Sequence, residues 1–322
     1  MPISPPITVV LPAHNAEATI ASAIASTLQQ SYTDFELWVL ENGSHDRTAA
    51  IARSFSDPRV RVFELGPVGI LGALQYAIEN APSEWLARLD ADDLMFPKRL
   101  EVQMDFIKGN PGIVFVGTAY AILTPFGHIF EPILSSSSRE VTNDLLACYK
   151  RFFADPSVVF NRRAALDAGG VDLEFTRVDG VPLFFRLLTK GKAWEIAEHL
   201  HLYRLQPGSL SRQKDHNEQG YRVRAKYAPQ SLAHIAKPSN EPSSVWSSIA
   251  GFELLAGDGR AVRQAAAYLE SEFARTARRM RWLSYLGRLG YRYYRWRSPS
   301  NYRYQRRQDW EQLFAPLLGH SA

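Results

Sequence analysis

The chain has 322 residues, of which 46% are apolar and 22% charged, which is ample for a core and too apolar for global disorder. Its one cysteine, Cys148, excludes an intramolecular disulfide framework and a thiolate metal site of its own, and fits a reducing compartment. Net charge is +4, but eleven arginines and no acid lie between Arg275 and Arg307, so the rest holds 26 basic against 33 acidic residues: a mildly acidic body with a basic tail suited to an anionic partner.

Residues 1–6 carry Pro2, Pro5 and Pro6 and no basic region, so no signal peptide is expected. The β-branched run at 7–11 reads as a buried parallel strand, and Ile20, Ile24 and Leu28 set a helical period over 15–30. A second strand is expected at 35–40. A turn at 41–44 follows, then a helix through Phe55 capped by Asp46 or Ser44. Strand 60–65, helix 69–80 and strand 85–89 follow, the last ending at Asp90. Such alternation argues for an α/β fold with a mostly parallel, doubly wound sheet. A helix over 97–108 comes next. The uncharged run 111–130 is broken by Gly117, Pro125, Gly127 and His128, and reads as two short strands and a turn, not a membrane span. Ser135–Ser138 reads as a surface loop, a helix begins at 181–188, and 195–203 has strand character. The Pro/Ser/Asn stretch at 238–242 is the best domain boundary, with mostly helix over 247–297.

The chemistry concentrates at Asp90, Asp92 and Asp93, three acids within four residues just past a strand. In open α/β sheets this carboxyl edge is where ligands bind. Three adjacent carboxylates repel one another, and a hard divalent cation such as Mg²⁺ or Mn²⁺, bridging to phosphate, offsets that charge. Alternatively, Asp92 and Asp93 cap the turn before Pro97.

Residues 86–94 (LARLDADDL), followed by Pro97, Arg99, Leu100 and Gln103, resemble the DxD motif region of family 2 glycosyltransferases of the GT-A fold. The opening VVLPAHNAE at 9–17 is similar to their "PxYN" segment, and ENGSHDRT at 41–48 to their "DDGSxDxT". The stretch QQSY at 29–32, then Asp155 to Val158, Gly169–Gly170, Gly191 and Tyr203–Arg204 complete the order, covering about residues 7–213. The resemblance implies a GT-A domain over 1–237, with a nucleotide-sugar half at 1–110 and an acceptor half at 111–237, and a helical basic and aromatic extension over 238–322. It implies inverting, metal-dependent transfer of a sugar from a nucleotide-diphosphate donor, UDP being the commonest nucleotide. The acceptor would be a saccharide or lipid-linked saccharide in polysaccharide biosynthesis. Asp92 maps to the metal ligand. Pro12, Ala13, His14, Asn15, Glu17, Glu41, Arg88 and Asp90 map to nucleotide-sugar binding. Asp179 maps to the catalytic base, with Asp172 and Glu174 as fallbacks. An inverting displacement needs a base to take the acceptor hydroxyl's proton.

The sequence departs from the family pattern at Asn42, at Leu74 (where an arginine often faces the nucleotide), at Val178 beside Asp179, and at Gln206 in place of a histidine. These departures leave open an unusual donor or a noncatalytic nucleotide-binding relative. A dinucleotide-binding oxidoreductase is a further alternative, because Gly66, Gly69 and Gly72 follow a strand and open a helix. His199 and His201, two apart on a strand, make a zinc pair conceivable, although a core position is the plainer reading. In the tail, arginines interleave with Trp282, Trp296 and several tyrosines. That pattern suits an anionic membrane surface, placing the protein in the cytoplasm and peripherally on the inner membrane face, or packing against the acidic body or a second subunit of a homodimer. The family resemblance sets nucleic acid aside as a partner.

Overall fold

A computed structural model describes residues 6–133, 137–147, 153–176, 180–206, 214–228, 256, 258–269, 281, 284–285 and 303–318. By internal contacts the chain divides into two units. The first comprises Met1–Tyr120, Ser136–Tyr203 and Asn217–Pro238; the second comprises Ala121–Ser135, Arg204–His216 and Ser239–Ala322.

In the first unit, β1 (Ile7–Ala13) is central. It pairs in parallel with β2 (Phe35–Glu41) on one side and with β4 (Trp85–Arg88) on the other. Its continuous apolar run follows from this place, since both faces are covered. Ile7, Val9 and Leu11 pack with Ile20 and Ile24 of α1 (Ile20–Leu28) and Leu100 and Met104 of α4 (Arg99–Gly109). Val10 points the other way, into a cluster with Leu71, Leu74 and Ile78 of α3 (Gly69–Asn80). Strand β3 (Val60–Glu64) is the edge: it pairs with β2, and its residues are half-buried or exposed, so it tolerates Arg61.

The order β4-β1-β2-β3 makes this part of the sheet parallel. Beyond β4 the added strands are antiparallel. β9 (Val159–Asn161) lies on β4, and β6 (Ile113–Leu123) lies on β9. The long β10 (Lys192–Arg204) holds β5 (Leu94–Met95) through His201↔Met95 and β8 (Arg139–Val141) through Trp194↔Glu140. Short helices α2 (Thr48–Arg53), α5 (Asn143–Ala147) and α6 (Arg162–Asp167), with α7 (Gly180–Leu187) and α8 (Lys214–Tyr227), complete the described helices of this part of the chain. The N-cap of α2 is Arg47, which makes no side-chain cap bond; of the two expected caps, Asp46 Oδ1 accepts the Thr48 N–H at 2.9 Å just ahead of it, while Ser44 accepts from Asn15.

In the second unit the end of β6 pairs with β7 (Ile129–Ile133), and β7 with β11 (Arg303–Arg306), as the two-strands-and-a-turn expectation required. Helices α9 (Gly259–Leu269) and α10 (Gln308–Leu318) belong here. Arg306 pairs with Glu311 at 2.9 Å, and Arg307 with Glu131 at 2.6 Å while lying 3.7 Å over the Trp310 ring. The last two arginines of the basic stretch are therefore engaged by acids of their own unit. The boundary expected at 238–242 and most of the helix expected over 247–297 lie outside the described residues.

Candidate functional site

Strands β1, β2 and β4 run in parallel, so their carboxyl ends deliver three loops to one sheet edge. The β1 and β2 loops interlock. His14 Nδ1 donates to the Asn42 carbonyl at 2.9 Å, and its Nε2 accepts from Asn15 Nδ2 at 3.1 Å, which defines one tautomer. Asn15 has φ +50°, a left-handed conformation that asparagine tolerates better than most residues. It is held there by its N–H on Ser44 Oγ (3.1 Å) and its Oδ1 under the His45 N–H (2.9 Å). The Asn42 N–H donates to the Ala13 carbonyl, and Asn42 Oδ1 accepts the Gly69 N–H at 2.8 Å, which ties α3 to this corner. Glu41 is buried. Burial alone would raise its carboxyl, but N–H donation from Ser44 and Gly43, with His14 nearby, holds it below the usual range.

Pro12, Ala13, His14, Asn15 and Glu41 thus form one corner. Glu17 stands apart from it: its N–H donates to Asp46, and its half-exposed carboxylate faces Arg47 at 3.5 Å.

Strand β4 pairs with β1 through Val10↔Arg88, and the Leu89 N–H donates to the Val10 carbonyl. Asp90 therefore emerges beside the β1 loop. Ligand oxygens of Asp90, Asp92 and Asp93 lie within 4.8 Å of one another. Asp90 and Asp92 are half-buried, whereas Asp93 is 1% exposed. Three carboxylates grouped this closely, two of them reachable, could hold a hard divalent cation such as Mg²⁺ or Mn²⁺.

Behind the triad lies a buried polar chain. His201 Nε2 meets Asp93 Oδ2 at 2.8 Å, and its Nδ1 meets Arg99 Nη1 at 3.3 Å. Arg99 also donates to the Arg88 carbonyl (2.8 Å) and to Gln103 Oε1 (3.1 Å). The Gln103 amide donates on to the Val116 and Ser157 carbonyls. Burial pushes Arg99 down to about 9, with Asp93 and Asp90 opposing, so it remains a cation at neutral pH. Burial and the guanidiniums of Arg99 and Arg88 push His201 well below its ordinary value, which favours a neutral imidazole donating to Asp93.

Arg88 is 2% exposed on a central strand, not at a rim, and its Nη2 lies 3.6 Å from Asp90. A Cβ built on Gly180, at the start of α7, would stand 2.6 Å from Asp155 Oδ2 and 3.0 Å from Arg88 Nη1. Asp155, Arg88 and the first turn of α7 therefore meet beside the triad. Asp179, the residue before Gly180, lies outside the described residues, as does Val178. The fallback bases are committed elsewhere. Asp172 pairs with Lys226 (2.8 Å) and Arg186 (3.3 Å), and Glu174 pairs with Lys226 and Arg222. Burial would raise Asp172, but hydrogen bonds from Lys226 and Tyr227 hold it below its ordinary value, which makes it a poor base.

The model of the glycosyl transferase family 2 matches residues 8–170, just over half of the chain. The chain belongs to this family of transferases. The relatives it resembles include the *Escherichia coli* UDP-Glc:alpha-D-GlcNAc-diphosphoundecaprenol beta-1,3-glucosyltransferase WfgD, 33% identical over 36% of this chain and 46% of that one. The *E. coli* O-antigen biosynthesis glycosyltransferase WbnJ is 28% identical over 57% of this chain and 72% of its own length. The chain spans about half the length of the first curated relatives it matches. Among solved structures, *Staphylococcus aureus* TarS 1-349 in complex with UDP-GlcNAc superposes with a TM-score of 0.56 over 88% of each chain at 14% identity. That is a likeness of fold, the GT-A α/β architecture.

In this family 2 glycosyltransferase the departures have physical readings. Leu74 is 1% exposed in the core, so its position offers nothing to a nucleotide. Asn42 carries the link to Gly69. The dinucleotide fingerprint is not assembled: it needs the strand before the glycines beside the strand after the helix, yet β3 is the edge and two strands, β2 and β1, separate it from β4. His199 is half-buried and His201 fully buried on Asp93, so no zinc pair forms. The sequence reading missed Asp93's partner, since 108 positions separate it from His201. The spacing of Arg99 and Gln103, one helical turn apart, was the available hint.

Proposed function

We propose that the protein transfers a sugar, with inversion, from a nucleoside-diphosphate sugar to a saccharide or lipid-linked saccharide in surface polysaccharide synthesis, and that it depends on a divalent cation. The observation that carries this reading is the Asp90–Asp92–Asp93 cluster beside the His14–Asn15–Glu41 corner at one sheet edge of a family 2 chain. WfgD uses a UDP-sugar and a diphosphoundecaprenol-linked acceptor, WbnJ serves O-antigen biosynthesis, and TarS binds UDP-GlcNAc. These relatives support UDP as the nucleotide and a lipid-linked or polymeric acceptor.

In this mechanism the β1–β2 corner holds the nucleoside, with Glu41 kept ionised to accept hydrogen bonds from it. Asp92, with Asp90, would hold the cation. When bound, Mg²⁺ or Mn²⁺ offsets the negative charge that grows on the departing diphosphate. Arg88 restrains Asp90. Asp179 accepts the proton from the acceptor hydroxyl as that oxygen attacks the anomeric carbon from the face opposite the diphosphate. A basic, aromatic segment at 275–307 suits a membrane surface carrying such an acceptor. Among the described residues, no helix is long and apolar enough to cross a membrane.

The test is calorimetric binding of UDP, GDP and dTDP, with and without Mn²⁺, to wild type and Asp92→Ala. Metal-dependent binding of one diphosphate, lost in the variant, is the expected result. No binding of any of them would sink the reading and favour the noncatalytic alternative.

A further inference from the structure

The buried chain behind the triad has a directionality that the donor-site reading does not use. Asp93 is 1% exposed beside two further carboxylates, and a carboxylate in that position needs donors fixed in place. One donor comes from β10, an element remote in sequence. A guanidinium has no acceptor, so the His201 nitrogen facing Arg99 must accept. The proton of the neutral imidazole therefore sits on Nε2 and is donated to Asp93 Oδ2 at 2.8 Å. The ring cannot turn away, because His201 is 0% exposed and its backbone is registered against Met95, two residues past Asp93. Arg99, fully buried, is itself fixed by the Arg88 carbonyl and Gln103.

We infer that His201 is a positioning residue for the acidic triad: by clamping Asp93 Oδ2 it orients the Asp92–Asp93 turn, and so sets how tightly the protein holds a divalent cation together with UDP. His201 touches neither metal nor substrate in this scheme, and Asp93, committed to it, acts as a support to Asp92. The inference rests on the reading of the triad as the cation-dependent donor site.

Glutamine and asparagine separate the two ring nitrogens. A glutamine amide nitrogen reaches about as far as Nε2 and keeps the donor to Asp93, whereas an asparagine stops at the reach of Nδ1 and loses it. Mn²⁺ is titrated into UDP-saturated protein and free Mn²⁺ is read from its paramagnetic resonance signal, with thermal midpoints measured alongside. His201→Asn is expected to weaken Mn²⁺ binding about 10- to 100-fold and His201→Gln by no more than about threefold, the range typical of supporting partners around metal ligands. His201→Met fills the volume without a donor. It is expected to follow His201→Asn and serves as the second variant if asparagine unfolds the protein. Wild-type affinity in folded His201→Asn or His201→Met, or equal losses in the glutamine and asparagine variants, overturns the inference, while Asp92→Ala still losing Mn²⁺ leaves the donor-site reading standing. Wild type binding no Mn²⁺, or Asp92→Ala binding it as well as wild type, overturns both.

Discussion

Two of the acid clusters described in the first unit have surroundings that differ in kind. Asp172 and Glu174 meet three cations, Lys226, Arg186 and Arg222, which reach them from α7 and α8. Asp90, Asp92 and Asp93 have Arg88 and Arg99 behind them, both fully buried, one touching Asp90 at 3.6 Å and the other acting through His201. In the first cluster cations surround the carboxylates and the group serves as a clasp that holds α8 on the body. In the second, Arg88 and Arg99 lie in the buried layer beneath the carboxylates, while Asp90 and Asp92 remain half-buried. Grouped acids in the sequence look alike; the partners that each group meets differ.

The largest effect that would test this contrast is at Asp92. Asp92→Ala should reduce sugar transfer by at least about 100-fold, because a metal contributes several kcal/mol to a developing charge and about 1.4 kcal/mol is a factor of ten. Turnover close to wild type in a radiolabelled transfer assay would remove the triad from the mechanism. Arg99→Leu should cost about 3–5 kcal/mol of stability, as expected when a buried charge network loses one partner. Urea denaturation measures it, and a midpoint near wild type would mean the cations behind the triad are dispensable. Gly180→Ala would push a methyl group into Asp155 and Arg88. About a 100-fold fall in kcat with little change in UDP affinity is expected, since small displacements at reacting groups have costs of that order.

The smallest effect is at the clasp. The folded Asp172 carboxyl lies below its ordinary value, so its stabilisation is complete above about pH 4, the ordinary aspartate range, and is lost as pH falls through the folded value. Asp172→Asn should flatten the acid limb of stability against pH and leave transfer at neutral pH nearly unchanged. A large loss of transfer at neutral pH would instead promote Asp172 to the base.

Much was legible in the chain itself. A continuous apolar run marked β1, and largely apolar runs marked β2 and β4, because strands covered on both faces are mostly apolar. Loops at their carboxyl ends, with Asp90, Asp92 and the His14–Asn15 turn, followed from that alternation and from the ordered family motifs. Two features took their meaning only from the fold. Gly66, Gly69 and Gly72 follow a strand and open a helix, yet that strand is an edge whose successor in sequence crosses to the far side of β1. Arg88, which the resemblance maps to nucleotide-sugar binding, lies buried in the central sheet 3.6 Å from Asp90.

Local pattern determined the elements, the carboxyl edge and the acids on it, because strand period, turn chemistry and charge are properties of neighbouring residues. Which acids meet cations of α7 and α8 and which stand over buried arginines was decided only in three dimensions. Asp93 finds its donor 108 positions away on an antiparallel strand, and Asp172 its lysine 54 positions away. No spacing rule spans such separations; strand register and helix packing do.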